Sequence, residues 1–280
     1  MEIKATEVKK LREKTGAGML DCKNALVKTD GDFDKAERLL KEQGLAAAVK
    51  KSDRVTNSGK IFSKVLPNKG ILIELTSETD FVARNSMFQE LGEALLAKVA
   101  ADNITAPTDE LHFMVKETIG KIKENMQLRR IVTVPVAANE VLVEYVHDDR
   151  IGVMVRFAMA DPKLKDDPRV KATLFDCALH VAAFAPLFLS KEKVSPAFLK
   201  EQEEIFSKQA ENLGKPANVL QGIIKGKLSK MLAEICLLEQ PFVKDDKRKV
   251  SKVLEDLSKE VGTKIDLVDY TYVKLGAEQS

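Results

Sequence analysis

Ile61-Phe62-Ser63-Lys64-Val65-Leu66-Pro67-Asn68-Lys69-Gly70-Ile71-Leu72-Ile73-Glu74-Leu75 reads as two strands joined by a turn. Large apolar and β-branched residues mark both flanks, and Pro67-Asn68-Lys69-Gly70 supplies turn chemistry between them. The chain then turns over Thr76–Asp80 and enters a helical pattern with Phe88, Leu91, Leu95 and Val99 on one stripe. A second helical pattern runs from about Glu110 to Asn125 and leads to the strand-like Ile131-Val132-Thr133-Val134.

The same order recurs downstream. Val141–Val146 and Ile151–Phe157 flank the turn His147-Asp148-Asp149-Arg150, and Gly152-Val153-Met154-Val155 echoes Gly70-Ile71-Leu72-Ile73. After Asp161–Pro168 comes a helix with Val170, Leu174, Cys177, Val181 and Phe184 on its apolar stripe. The expected fold class is α+β, with a core of two related antiparallel sheets, each packed by helices on one face. Hairpin-plus-helix units are common, so chance repetition stands as the alternative to duplication.

Upstream, three short helices are expected. Val8 and Leu11 mark the first, which stops at Thr15-Gly16-Ala17-Gly18. Met19, Cys22, Ala25 and Leu26 carry the second, and Asp32 caps a third with Phe33, Ala36, Leu39 and Leu40, ending at Gly44. Leu45–Ser58 reads as a basic linker, helical in part over Ala46–Lys51. Downstream, two charged helical patterns between Ser190 and Leu232 meet at Leu213-Gly214-Lys215-Pro216. The first has few apolar residues, which suits a projecting antiparallel hairpin. A last helix (Val250, Leu254, Leu257, Val261) leads to a strand over Ile265–Val273 that returns to the second sheet. The domain division is 1–54 for the helical head and linker, 55–140 for the first half of the core and 141–280 for the second, with the hairpin inserted at about 190–232.

Composition narrows the function classes. The chain has 280 residues, 44% hydrophobic and 31% charged, an ordinary balance for a folded protein. Lys+Arg at 45 against Asp+Glu at 43 leaves a formal charge of +2, too even to predict nucleic acid or an anionic membrane as main partner. The opening lacks an apolar signal region and no stretch has the length of a membrane span, so a cytoplasmic protein is expected. Cys22, Cys177 and Cys236 are odd in number, far apart and without a CxxC pair, which favours buried small hydrophobes over a disulfide or zinc site.

Chemical motifs fail on inspection. Gly222-Ile223-Ile224-Lys225-Gly226-Lys227 is one residue short of a phosphate-binding loop and lies inside a helical pattern, and Gly16-Ala17-Gly18 follows a helix where a dinucleotide fingerprint needs a strand. No HExxH or GxSxG is present. Two features remain. Thr79-Asp80-Phe81-Val82 stands at a turn entering a helix. Pattern alone favours capping there, with Ser77 or Thr79 accepting first-turn amides, Asp80 complementing the dipole and Phe81 stapled to the core. Met19 and Leu20, with Lys23 one turn on, sit at an interhelical loop. Core filling is the plain reading, but a head this small cannot bury everything, and Met suits an adaptable contact surface.

Val8-x-x-Leu11-Arg12-x-x-Thr15-Gly16-Ala17-Gly18-Met19-Leu20-Asp21-Cys22-Lys23-Asn24-Ala25-Leu26 resembles the amino-terminal signature of the bacterial elongation factor Ts family. Glu78-Thr79-Asp80-Phe81-Val82-Ala83-Arg84-Asn85 does likewise. His180-Val181-Ala182-Ala183 with Pro186, then Gly214-Lys215-Pro216, then Gln240-Pro241-Phe242-Val243 continue the match in order over nearly the whole chain. The resemblance implies a ubiquitin-associated-like helical head, a core of two subdomains and a protruding coiled coil. It also implies guanine-nucleotide exchange on elongation factor Tu, without covalent chemistry or a cofactor. Direct contact with nucleic acid or membrane is not expected, and a homodimer or a heterotetramer with the partner stays open.

By the same resemblance Asp80 and Phe81, flanked by Thr79 and Val82, are the pair that intrudes beside the partner's magnesium site. Met19, Leu20 and Lys23 map to head contacts with the partner's GTPase domain; Lys51 and His147 fall where the family has contact residues. Asn24, where Lys is frequent, and Phe184-Ala185 depart from the family pattern. Two rival classes follow from the residues alone: an enzyme whose site assembles from separate segments, and an RNA-binding protein using Lys50-Lys51 and the basic hairpin.

Overall fold

The computed structural model describes residues 3–211 and 216–277. Its first three helices are α1 (Ala5–Thr15), α2 (Met19–Lys28) and α3 (Phe33–Val49). Gly16, at φ 68°, ends α1 in the left-handed region that glycine tolerates, and its N–H reaches Arg12 O at 2.8 Å. Asp32 caps α3 by accepting from Lys35 N at 3.0 Å. Val8, Leu11, Cys22, Ala25, Leu26 and Ala36 close a small core of their own.

The expected stop of α3 at Gly44 is corrected. The helix continues to Val49, and Gly44 lies buried in its interior. A Cβ at Gly44 would stand 3.1 Å from Gly120 Cα, and one at Gly120 only 2.7 Å from Gly44 Cα. Gly120 belongs to α6 (Asp109–Ile122), so α3 and α6 cross almost backbone to backbone. Glycine inside a helix costs about 1 kcal/mol of propensity; here the missing side chains allow the helical head to close on the next unit.

That unit holds β1 (Ser58–Leu66), β2 (Lys69–Ser77) and β3 (Met126–Pro135) in an antiparallel sheet of order β1-β2-β3. The hairpin read from Ile61–Leu75 is present, with Leu66 paired to Lys69 across its turn. The single helix expected to carry Phe88 is two: a one-turn α4 (Asp80–Ala83), then α5 (Ser86–Asp102), whose start is capped by Asn85 accepting from Met87 N at 2.9 Å. α5 and α6 cover one face of the sheet, burying Phe88, Leu91, Leu95, Leu111 and Val115 against Ile71, Ile73 and Leu75.

The second sheet contains β4 (Glu140–His147), β5 (Ile151–Met159) and β8 (Ile265–Lys274), in the order β4-β5-β8. Asp148 and Asp149, both at positive φ, make the tight turn between β4 and β5. α7 (Pro168–Phe184) and α10 (Val250–Val261) cover one face, and the strand of residues 265–274 returns as expected. A short hairpin of β6 (Pro241–Phe242) and β7 (Asp245–Lys249), which no sequence pattern announced, lies before α10. Phe184, expected on the buried stripe of α7, is instead exposed at its end. α8 (Pro196–Glu211) and α9 (Ala217–Ile235) lie alongside each other, with Lys227 Nζ donating to Gln209 Oε1 at 2.9 Å. Leu213-Gly214-Lys215 of the expected hairpin turn lies outside the described residues.

The two remaining sheet faces meet each other. Ile61, Leu72 and Val134 of the first sheet pack with Met154 and Val273 of the second. Gly70 and Gly152 make room for this contact: a Cβ at Gly70 would strike Leu142 and Met154, and one at Gly152 would strike Ile61 and Leu72. Both sheets also carry a bulge in matching places, between Glu74 and Leu75 and between Arg156 and Phe157. The chain is therefore a mixed fold of antiparallel sheets and helices, with an apolar layer between the sheets as well as beneath the helices.

Candidate partner-binding surface

α4 is fixed from below and open above. Thr79, in extended conformation, caps it by accepting from Val82 N at 3.3 Å. Its hydroxyl also donates to Glu124 Oε2 at 2.9 Å. Val82 and Ala83 are buried in the first core and anchor the turn, while Phe81 faces outward, 81% exposed. The staple reading of Phe81 fails, because a ring in that position touches no core. Asp80, in the first turn, is half-exposed and lies 3.2 Å from Arg84 at i+4. A carboxylate there complements the amide end of the helix.

On the head, Gly18 leads into α2, and the helix buries Cys22 while Met19 and Leu20 stay outside, Leu20 at 69% exposure. Lys23 is exposed on the next turn. The head surface and the Phe81 turn are joined through the end of α6. Lys123, left-handed at φ 70°, places its amine 3.3 Å from Asp21, and the next residue is the Glu124 that holds Thr79. Gly16 also approaches Met87 in the first turn of α5. Lys51 is tied to the same loop: its amine donates to the carbonyl of Lys123.

His147 belongs to the other sheet, at the tip of β4. Its Nδ1 lies 2.9 Å from the Tyr145 hydroxyl and its Nε2 lies 3.5 Å from Asp148. It lines a hollow with Tyr145, Leu179, Ala183 and Val243, and no described contact joins it to the Phe81 turn. Nearby, His180 is buried. Its Nδ1 accepts from Val243 N–H at 3.1 Å, which puts the proton on Nε2, donating to Gln240 Oε1 at 2.9 Å. Burial pushes its pKa down. The ring stacks on Phe184 at 4.6 Å. Two of the sequence motifs that stand far apart in the chain are thus one packed unit.

Glu124 and Asn125 were not singled out from sequence. Charged and amide residues after a helix carry no periodic signal, and their role emerges only from what they reach in space. Cys22, Cys177 and Cys236 are free and buried, as expected, and burial pushes the Cys177 thiol up to about 12. Among the described residues no cluster of His, Cys, Asp or Glu is placed to hold a metal ion, and no helix is long and apolar enough to cross a membrane.

Phe81 on α4 and the Met19–Leu20 pair on α2 are thus exposed apolar side chains on helices whose other faces are buried. The family model for elongation factor TS matches residues 78–277. The chain is 46% identical over 278 residues to elongation factor Ts of Treponema denticola, covering 99% of each. It is 42% identical to that of Borrelia hermsii, covering 99% of this chain and 100% of the relative. With that of Borreliella burgdorferi it shares 41% over 276 residues, 98% of this chain and 99% of the relative. The chain belongs to the elongation factor Ts family, the guanine-nucleotide exchange factors of translation elongation. The resemblance carried by its motifs is borne out.

Proposed function

We propose that this chain binds elongation factor Tu in the cytoplasm and promotes GDP release by pressing the Phe81 turn beside the partner's magnesium site. An exchange factor needs only to bind the nucleotide-free shape of a GTPase better than the loaded one. Linkage then weakens nucleotide and factor reciprocally, and no acid, base or nucleophile takes part. Phe81 wedges between partner helices and displaces groups that support the magnesium, while Asp80 perturbs the same hydrogen-bonding region. Met19, Leu20 and Lys23 form the second contact, on the GTPase domain. The three-helix head acts as a ubiquitin-associated-like module over residues 1–54, ahead of core halves at 55–140 and 141–280. The α8–α9 pair serves as an inserted coiled coil, and His147 marks a further contact on the second half.

The observation that carries this reading is the exposure of Phe81 on a turn whose other side is buried. A buried aromatic anchor is worth about 2 kcal/mol or more at an interface, so Phe81→Ala should slow exchange roughly thirtyfold or more. The test is release of labelled GDP from the cognate elongation factor Tu, with and without the wild-type chain and this variant. An unchanged rate for the variant rejects the role of Phe81.

A further inference from the structure

The loop after α6 holds more of the molecule together than its length suggests. Lys123 pairs with Asp21 of the head, and Glu124 accepts from the Thr79 hydroxyl. Asn125, 1% exposed, donates its backbone N–H to Glu78 Oε1 at 2.6 Å and accepts from Glu78 N–H at 3.2 Å. Its side-chain amide donates to Arg54 O at 2.7 Å and Ser52 O at 3.3 Å, fixing the segment between head and core. Ser77 Oγ closes the turn by donating to Thr79 O at 2.8 Å. α4 is one turn long and too short to hold its own geometry, since isolated short helices are unstable in water. Its orientation is set from outside.

We propose that Glu124 and Asn125 are positioning residues for nucleotide exchange, bracing the Phe81 turn and the Met19/Leu20 face into one rigid two-part surface. The proposal rests on the exchange reading above. Glu124 acts on the capping hydroxyl of α4, and Asn125 acts on the chain segment that enters from the head. Neither touches the partner. A surface fixed before contact avoids the ordering cost that a loose turn and a loose head would incur on binding.

Each residue can be cut separately. Glu124→Ala removes the hold on Thr79 from a half-exposed site and leaves the cores intact. In the free chain, hydrogen exchange at the Val82, Ala83 and Arg84 amides should rise, while Ile73 and Val155 in the sheets stay protected. Affinity for nucleotide-free elongation factor Tu should fall about tenfold, the scale of ordering one short turn. Phe81→Ala should then cost a smaller fold in the Glu124→Ala background than in the wild type. A merely structural role would leave that fold unchanged, because the folded fraction divides out. Asn125→Ala should raise exchange over residues 52–56, and Leu20→Ala should lose most of its effect on affinity in that background.

Unchanged amide exchange in both segments overturns the brace, as does an equal cost of Phe81→Ala in both backgrounds. If the wild-type chain fails to accelerate GDP release, the exchange reading falls, and the amide measurements on the free chain still decide whether the brace exists.

Discussion

Glu74 and Arg156 stand at the same place in the two sheets with opposite charge. Each is the last residue before its ladder shifts register around an extra residue on the neighbouring strand, and each faces an oppositely charged partner across that ladder: Glu74 faces Arg130, and Arg156 faces Asp269. The two sheets share the pairing at this position with its sign reversed. Their surroundings differ. Glu74 has no solvent exposure and also receives Gly276 N–H at 2.8 Å, tying the end of the chain to the first sheet, whereas Asp269 is largely exposed.

Removing one partner of the enclosed pair should therefore be costly. Arg130→Ala leaves a buried carboxylate uncompensated and is expected to lower unfolding free energy by about 3–5 kcal/mol. Replacing both, as Glu74→Leu with Arg130→Met, should recover most of that loss. Arg156→Ala should cost less than Arg130→Ala, because water reaches Asp269 and the other partner of Arg156, Glu140, keeps the Ala137 N–H. Urea unfolding of the three variants beside the wild type gives the ordering.

The layer between the sheets should resist even one added carbon. An alanine Cβ at Gly70 would lie 2.3 Å from Leu142 Cδ2 and 2.5 Å from Met154 Sδ, and one at Gly152 would lie 2.7 Å from Ile61 Cγ2. Overpacking of this kind costs about 1–3 kcal/mol. In Gly70→Ala the Met154→Ala change should cost less than it does alone, since it clears one of the two collisions. Thermal unfolding of the single and double variants measures that coupling.

Gly120→Val should separate the head from the core. The atoms in its way are the backbone of Gly44, which cannot rotate aside as a side chain would. The expected result is faster protease cleavage over residues 50–57, with the sheets still folded. Gly44→Ala, with more room, should do less. Cleavage at the wild-type rate in both variants would show that the crossing tolerates a gap.

Stability should fall at both ends of the pH range, for separate reasons. Burial lowers the His180 pKa from its ordinary 6.5, so the fold disfavours the proton that the unfolded chain accepts. That contribution is present above 6.5 and is lost as pH falls toward the depressed value. Tyr270, which donates to Pro186 O at 2.6 Å, is pushed by burial from 10.0 up to about 12. Its contribution is intact below 10 and is lost as pH rises to about 12. Tyr270→Phe should flatten the alkaline limb, and His180→Gln the acid one. Chemical denaturation at a series of pH values reads both slopes.

The strands and most helices were legible because their apolar residues repeat at the right period, as Phe88, Leu91, Leu95 and Val99 do. Gly44 misled because glycine usually marks a helix end, and only the partner glycine on α6, far away in sequence, explains its place in the interior. The face-to-face packing of the sheets was not legible either. A strand covered on both sides, like β2, loses the alternation that would announce its second face. At the turn into α4, local pattern gave the cap at Thr79 correctly and the position of Phe81 wrongly. Capping is decided within one turn, but exposure depends on whether a distant segment arrives to cover the ring.

The outward ring of Phe81 sets a condition on the life of the free chain. The backbone of its turn is ordered when the polypeptide folds, before any encounter, so an approaching protein meets the ring already turned outward. The same ring is in water whenever no other protein occupies it, and two unoccupied copies present sticky spots to each other. Raising the concentration of the chain alone should therefore favour self-association through this spot, and a polar residue at position 81 should relieve it.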